Sequence, residues 1–366
     1  MWHGLTMSGL VRMIRHRPSF SMAYAPRWAS IAALSVINSL QNAAESLVFS
    51  RKVRDTQIEH PPVFILGHWR SGTTLLHNLM TLDPEVTFPN LYQCMYPGHF
   101  LLTENVLAPL TGWILPKTRP MDNIATTWKS ALEDEIALAL DCGISPYLML
   151  AFHERREVYG RFFDPREMTD DERAIWRNSL LTLMKKLTIR KNRSIVVKSP
   201  SHTYRIPILL EMFPNAKFVY IHRDPYAVYQ STMHLRKTMF LENTLGPPSF
   251  NDSVEETLFL YEKCIRTYEE TKSLIPEGRL HEIRFDDLEK DPTAEMKKIY
   301  EALNLPGWDQ LVEPKVREEV AKLKSYKKNS FRMDRDTMVM LYDRLKWMFD
   351  LYGYPSRLDD VAVKQA

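Results

Sequence analysis

Residues 63–80 read VFILGHWRSGTTLLHNLM. The opening VFIL is a short, unbroken apolar run, which marks a strand buried on both faces, as in a parallel sheet. It leads into Gly67-His68-Trp69-Arg70-Ser71-Gly72-Thr73-Thr74 and then into an apolar segment that predicts a helix, ended by Asp83-Pro84. A Gly67-x4-Gly72 spacing between strand and helix is that of a phosphate-binding loop, in which successive backbone N–H groups and the positive helix N-terminus face an anion. A nucleotide hydrolase carries Lys where this chain has Thr73. Here the cation is Arg70, inside the loop, whose planar fork matches two oxygens of one oxyanion. Thr73 and Thr74 add hydroxyl donors. The loop Arg70, Ser71, Gly72, Thr73 and Thr74 therefore suits a terminal phosphate-like group without ATP-hydrolysis chemistry.

Outward from this loop, SIVVK (194–198), AKFVYIH (216–222) and RLHEIRF (279–285) read as further strands. Helices are predicted over about 126–141, from Thr169 with Glu172 as a capping box, over 203–213, from Pro225, over 252–273, and along DPTAEMKKIYEAL (291–303). Strands alternating with helices predict an α/β fold: a P-loop-like parallel sheet with helices on both faces and helical insertions. Ligands then bind at the carboxyl ends of the strands. The expected organisation is an N-terminal helical part (1–60), a main domain (61–310) and a C-terminal helical segment (311–366) that completes it.

Composition narrows the function. The chain has 366 residues, a formal charge of +3, 45% hydrophobic and 25% charged residues. That excludes a disordered chain, and the charge is too small to imply a nucleic-acid partner. Cys94, Cys142 and Cys264 lie far apart and form neither a disulfide framework nor a metal motif, so a reducing, cytoplasmic setting is expected. The stretch WASIAALSVINSLQNAAESLVF (28–49) has helical periodicity, but Ser35, Asn38, Gln41, Asn42 and Glu45 argue against a membrane span. It reads as a helix packed on the domain, or as an interfacial helix at a membrane surface flanked by Arg12, Arg15, Arg17, Arg27 and Arg51.

A second anion site is legible after the third strand run. His222-Arg223 leaves that strand, and Ser231 follows eight residues later, about two turns into the next helix. Two such sites suit a nucleotide phosphorylated at both ends of its ribose.

With these residues in place, the sequence resembles the sulfotransferases that use 3′-phosphoadenosine 5′-phosphosulfate. The strand–RSGTT–helix element resembles their 5′-phosphosulfate loop, and Arg223 with Ser231 their 3′-phosphate site. VVKSPSH (196–202) resembles the strand end that carries a Lys near the transferred group, here Lys198, and RFDDLEKDP (284–292) a late strand-to-helix signature. The RSGTT and KSP segments look closer to the tyrosylprotein and carbohydrate branches than to the cytosolic phenol enzymes. In those cytosolic enzymes a catalytic His lies two residues after the counterpart of Lys198; here that position is Pro200. The resemblance implies sulfuryl transfer to a hydroxyl or amine acceptor, with no metal. Arg70 and Lys198 neutralise charge in the transition state. The candidate bases are Glu133, Glu135, His202, His99 and His153, of which Glu133 and His202 rank first. Lys327 and Lys328 are candidates to close over the 3′-phosphate. Residues 84–122 and 143–166, rich in aromatic residues, Met and Pro, are expected to wall the acceptor pocket. A carbohydrate, glycolipid or other lipid is the expected acceptor. The alternatives are a P-loop small-molecule kinase, which lacks its loop Lys here, and a non-catalytic scaffold at a membrane.

Overall fold

The computed structural model describes residues 1–15, 20–118, 126–247, 250, 252–323 and 333–358. Its centre is one five-stranded, all-parallel sheet: β1 (Val63–Leu66), β2 (Val86–Thr87), β3 (Ser194–Lys198), β4 (Lys217–His222) and β5 (Leu280–Arg284), in the order β2-β3-β1-β4-β5. Four of these coincide with the apolar runs read from the sequence. The edge strand β2 escapes that reading because two residues show no periodicity; pairing with Ser194 and Ile195 creates it.

Alternation along the strands splits the core in two. Phe64, Leu66, Ile195, Val197, Phe218 and Tyr220 face one hydrophobic cluster, and Val63, Ile65, Val196, Val219 and Ile221 face the other. Helices cover both faces, as a parallel sheet requires. On the first face lie α1 (Met7–Ile14), α2 (Ala25–Asp55), α4 (Leu91–Met95), α5 (Phe100–Thr111), α6 (Asp134–Asp141), α7 (Arg156–Gly160), α8 (Asp170–Arg190) and α9 (Ile206–Met212). The second carries α3 (Thr73–Met80), α12 (Phe285–Lys290), α13 (Pro292–Ala302) and α14 (Glu313–Leu323). A third cluster joins α10 (Pro225–Asn243), α11 (Ser253–Thr271) and α15 (Arg335–Tyr352). Each fully buried Leu, Val or Phe contributes about 1.5–3 kcal/mol, so the sheet holds without cross-links. All three cysteines are buried and free.

The described residues of 1–60 fold as part of this body. Trp2, Leu5, Met13, Trp28 and Ile31 belong to the larger core, and Trp2 Nε1 donates to the Asn243 carbonyl at 2.6 Å. At the other end, α15 packs Leu341, Leu345 and Met348 into the third cluster.

One helix differs from its predicted extent. Instead of running over 126–141, α6 starts at Asp134. The residues before it are tied to the chain around α4: Leu91 N donates to Ser130 O, Tyr92 N to Trp128 O and Leu132 N to Pro89 O. Those cross-chain bonds hold 128–132 away from helix geometry and leave Glu133 extended, at φ −71° and ψ 123°, as the N-cap.

Candidate active site

β1 lies between β3 and β4, so the chain leaves it at the point where the sheet's winding reverses, the position where ligands bind in such sheets. The loop that follows is shaped by three left-handed residues. Gly67 (φ +141°) passes so near β4 that a Cβ would lie 2.5 Å from the Ile221 carbonyl oxygen, and Gly72 (φ +106°) lies so near Phe285 that a Cβ would fall 2.2 Å from its ring. Arg70 adopts φ +68°, a strained value for a non-glycine residue and of the kind found at ligand clamps. Gly67 N donates to Thr203 Oγ1 at 2.8 Å and Ser71 Oγ to the His68 carbonyl at 2.7 Å. Ser71 and Thr73 are buried under the loop. Helix α3 begins at Thr73, so its first amides, which have no partner within the helix, open at the loop mouth.

The residues expected to form the second anion site meet those of the loop. Arg70 Nε donates to Ser231 Oγ at 2.7 Å, and Arg223 Nη1 donates to the Arg70 carbonyl at 3.3 Å. The Arg223 guanidinium lies 4.0 Å over the Phe285 ring. Burial pulls the Arg223 pKa below the usual guanidinium value, against the attraction of Glu289 and Asp286. Neighbouring Asp224 does not pair with it; its carboxylate caps α10 at Ala227 N and meets Arg357 at 2.6 Å. Phe285 is the physical content of the RFDDL run: one ring fills the space beside Gly72 and supports Arg223. The sequence reading used RFDDL only as a signature and missed this.

The acid–base candidates fall into a ladder of three consecutive acids and three bases spaced by four and three residues. Glu133 Oε1 meets Lys198 Nζ at 2.6 Å, Asp134 Oδ2 meets His202 Nε2 at 2.7 Å, and Glu135 Oε2 meets Arg205 Nη1 at 2.5 Å. The four side chains of the last two pairs are 0% exposed, whereas Lys198 is 3% and Glu133 18% exposed. Only Glu133 therefore reaches solvent. Arg205 also donates to the Phe162 carbonyl at 2.7 Å and lies 4.7 Å over Trp176. Burial alone would raise the Asp134 pKa, but the charge and hydrogen bond of His202 hold it below the usual carboxylate value.

Around Glu133 the wall is aromatic. The Tyr147 hydroxyl donates to Glu133 Oε2 and accepts from Trp69 Nε1 at 3.2 Å; Trp69 in turn packs against Phe163 with ring centroids 5.5 Å apart. Burial first, then the Glu133 charge, push the Tyr147 pKa well above 10, so it stays an O–H donor. Lys198 Nζ also reaches Thr74 Oγ1 at 3.5 Å. The structure thus gathers Arg70, Thr74, Lys198, Glu133, Arg223 and Ser231 along one edge of the sheet.

Other candidates are placed elsewhere. His202 and Glu135 are sealed in their pairs. His99 is buried against Thr103, with Nδ1 to Oγ1 at 2.9 Å, and His153 against Glu256 at 3.0 Å. Lys327 and Lys328 lie outside the described residues. Tyr147 and Trp69 were missed because an isolated aromatic residue carries no spacing signal. The match of LEDE with K-x3-H-x2-R was available in the sequence, but nothing local says that the two runs meet. Among the described residues, no group of three or more His, Cys, Asp or Glu side chains is placed to hold a metal ion. No helix among them is long and apolar enough to cross a membrane.

Comparison with known proteins gives the family. The chain is 35% identical over 358 residues to the omega-hydroxy-beta-dihydromenaquinone-9 sulfotransferase Stf3 of Mycobacterium bovis and of Mycobacterium tuberculosis, covering 97% of this chain and 91% of the relative. Among solved structures, sulfotransferase STF9 from Mycobacterium avium superposes with a TM-score of 0.72 at 20% identity, over 94% of this chain and 90% of that one. Sulfotransferase STF1 from Mycobacterium tuberculosis gives 0.62 at 15% identity, over 92% and 90%. Both show the fold. Residues 61–310 match the model of the sulfotransferase family, and with a relative of this similarity along nearly the whole chain, the protein belongs to the sulfotransferase family.

Proposed function

We propose that the protein transfers a sulfuryl group from 3′-phosphoadenosine 5′-phosphosulfate to a hydroxyl of a lipid held at a membrane surface. The loop 67–74 takes the phosphosulfate, and Arg223 with Ser231 takes the 3′-phosphate, joined by Lys327 and Lys328. Arg70 and Lys198 offset the charge that grows on the bridging and equatorial oxygens as the bond to the leaving phosphate breaks. Glu133 takes the acceptor's proton as its oxygen bonds to sulfur. A carboxylate has about four acceptor positions, so its bonds to Lys198 and Tyr147 leave room for that hydroxyl. His202 and Glu135, sealed in their pairs, act here as supports. The desulfated nucleotide leaves with the electron pair of the broken S–O bond.

The observation that supports this reading most is the Glu133–Lys198 pair beside the loop that carries Arg70, with only its carboxylate reaching solvent. The lipid acceptor rests on the relative's printed substrate, omega-hydroxy-beta-dihydromenaquinone-9, and on the aromatic wall of Trp69, Tyr147 and Phe163. The buried free thiols fit the cytoplasmic side of that membrane.

Two measurements test it. In thermal shift, 3′-phosphoadenosine 5′-phosphate at 100 times its Kd should stabilise by about 2.7 kcal/mol, and more than ATP with Mg²⁺, which would win if the chain were a kinase. With ³⁵S-labelled donor and a fractionated extract, label should enter the lipid fraction. Label confined to glycan or protein would refute the lipid acceptor.

A further inference from the structure

Three packed helices each expose an apolar stripe. On α2 the outward positions are Ala29, Ala33, Val36, Leu40, Ala43 and Leu47, spaced by four and three residues along one face; Leu40 is 68% and Leu47 89% exposed. Helix α1 shows Met7, Val11 and Ile14, and α5 with the short turn that follows it shows Val106, Leu110 and Trp113, the Trp 84% exposed. Both pack on α2: Met7 N donates to Ser39 Oγ at 2.8 Å, and Leu102 N to Glu45 Oε2 at 3.0 Å. An exposed apolar surface of this extent marks an interaction site.

Charge identifies the partner. The α2 stripe continues at the same spacing into Arg51 and Arg54. Among the described residues of 1–55, the Lys and Arg side chains are Arg12, Arg15, Arg27, Arg51, Lys52 and Arg54. The acids are Glu45, buried against Lys186, and Asp55, which Arg51 and Arg54 flank at 3.7 and 3.6 Å. One partner helix would cover one seam. Stripes on three helices, bordered by basic side chains, fit an extended anionic surface.

The start of this face adjoins the acceptor wall. Trp28 at the head of α2 stacks on Phe152 (centroids 6.0 Å apart) and on exposed Phe20 (5.2 Å), and Phe152 follows Tyr147 by five residues. Helix α2 ends at Asp55, seven residues short of the start of β1, so its tail lies toward the amino edge of the sheet.

We infer that α1, α2 and α5 form a docking face for an anionic lipid bilayer. Helix α2 lies in the interface plane over its length of about 46 Å, with the acceptor wall at its head. The inference rests on the lipid-acceptor reading for its purpose and on the stripes for its existence.

The test is co-sedimentation of the full chain with phosphatidylcholine vesicles, with and without about 30 mol% phosphatidylglycerol, at about 0.1 and 0.5 M salt. Transfer to a short-chain, water-soluble hydroxylated acceptor is measured on the same preparations. Binding should require the anionic lipid and fall at high salt. R51E/R54E should weaken it by about fivefold or more per charge, and V36S/L40S/L47S at least tenfold, with Tm and transfer to the soluble acceptor unchanged in both. No binding of the wild-type chain to anionic vesicles, with soluble transfer intact, overturns the docking face and leaves the enzymatic reading standing. Binding with no transfer to any acceptor leaves the face standing and sinks the enzymatic reading. A wild-type dimer that V36S/L40S/L47S dissociates, without vesicle binding, assigns the face to self-association and overturns the inference.

Discussion

Replacing each acid of the Glu133-Asp134-Glu135 triplet by its amide separates chemistry from support within one turn of chain. The chemical change is nearly the same at each position, but the surroundings are not. Glu135 is fully buried and faces an equally buried Arg205 at 2.5 Å. Removing one partner of such a pair leaves an uncompensated charge and costs about 3–5 kcal/mol. At about 2.1 cal/mol/K per residue, 366 residues give an unfolding entropy near 0.77 kcal/mol/K, so Glu135→Gln should lower Tm by about 4–6 °C. Glu133 is 18% exposed and keeps a neutral acceptor for Tyr147 as Gln. Its loss leaves Lys198, 3% exposed, without its counter-charge, but the open carboxylate side admits water, so the cost should lie between about 1 kcal/mol for a surface pair and about 3 kcal/mol for a buried one, a Tm drop of about 1–4 °C. If Glu133 is the base, however, kcat falls by about 10²–10⁴, which is about 3–5 kcal/mol of barrier. The assay measures release of 3′-phosphoadenosine 5′-phosphate with a saturating hydroxylated lipid, alongside a melting curve for each variant. Glu135→Gln assayed well below its Tm should keep kcat within about tenfold, because it touches neither donor nor acceptor. A Glu133→Gln enzyme within tenfold of wild-type kcat would refute the base assignment and reduce Glu133 to a holder of Lys198.

Three further outcomes follow from the same geometry. Phe285→Ala removes the ring under Arg223; losing a cation–π contact of about 0.5–2 kcal/mol should weaken donor binding about 2- to 30-fold by isothermal titration, while an unchanged Kd would contradict the shared role of that ring. Gly72→Ala forces a Cβ against Phe285 at a left-handed φ, and strain of about 1–3 kcal/mol with displacement of Phe285 should lower both Tm and donor affinity; wild-type behaviour would show that the loop relaxes freely. Burial lowers the pKa of His68 and His77 from 6.5 to about 3. The folded pKa lies below the unfolded one, so the unfolded chain binds these protons first and stability falls as pH drops from 6.5 toward 3. At about 1.4 kcal/mol per pH unit for each group, these two rings alone should cost about 4 kcal/mol at pH 5 relative to pH 7, and His99 and His222, lowered by burial to about 4, add in the same direction; a flat Tm over that range would contradict the burial of these rings.

Much of the framework was legible along the chain. Unbroken short runs rich in β-branched and aromatic residues, such as VFIL, SIVV and KFVYIH, read as buried strands, and Gly67 and Gly72 announce their turn because their spacing is local. Arg70, Lys198 and Arg223 could be placed at the carboxyl edge for the same reason: each directly follows or ends a readable strand. The helix through 126–141 was misjudged because its composition favours a helix, while bonds to residues 89–92 hold 128–132 in a turn and a short bridge instead. That same override puts Glu133 at the N-cap, where its carboxylate can face the cleft.

What the sequence alone determined is the four longer strands, the phosphate loop and the cations at the strand ends, since each depends on neighbours within a few residues. Tertiary structure decided which carboxylate stands open. Glu133 and Lys198 are 65 positions apart, Asp134 and His202 are 68, Glu135 and Arg205 are 70, and only the packing of α6 against the end of β3 and the turn after it seals two of these pairs from water and leaves the third at the cleft.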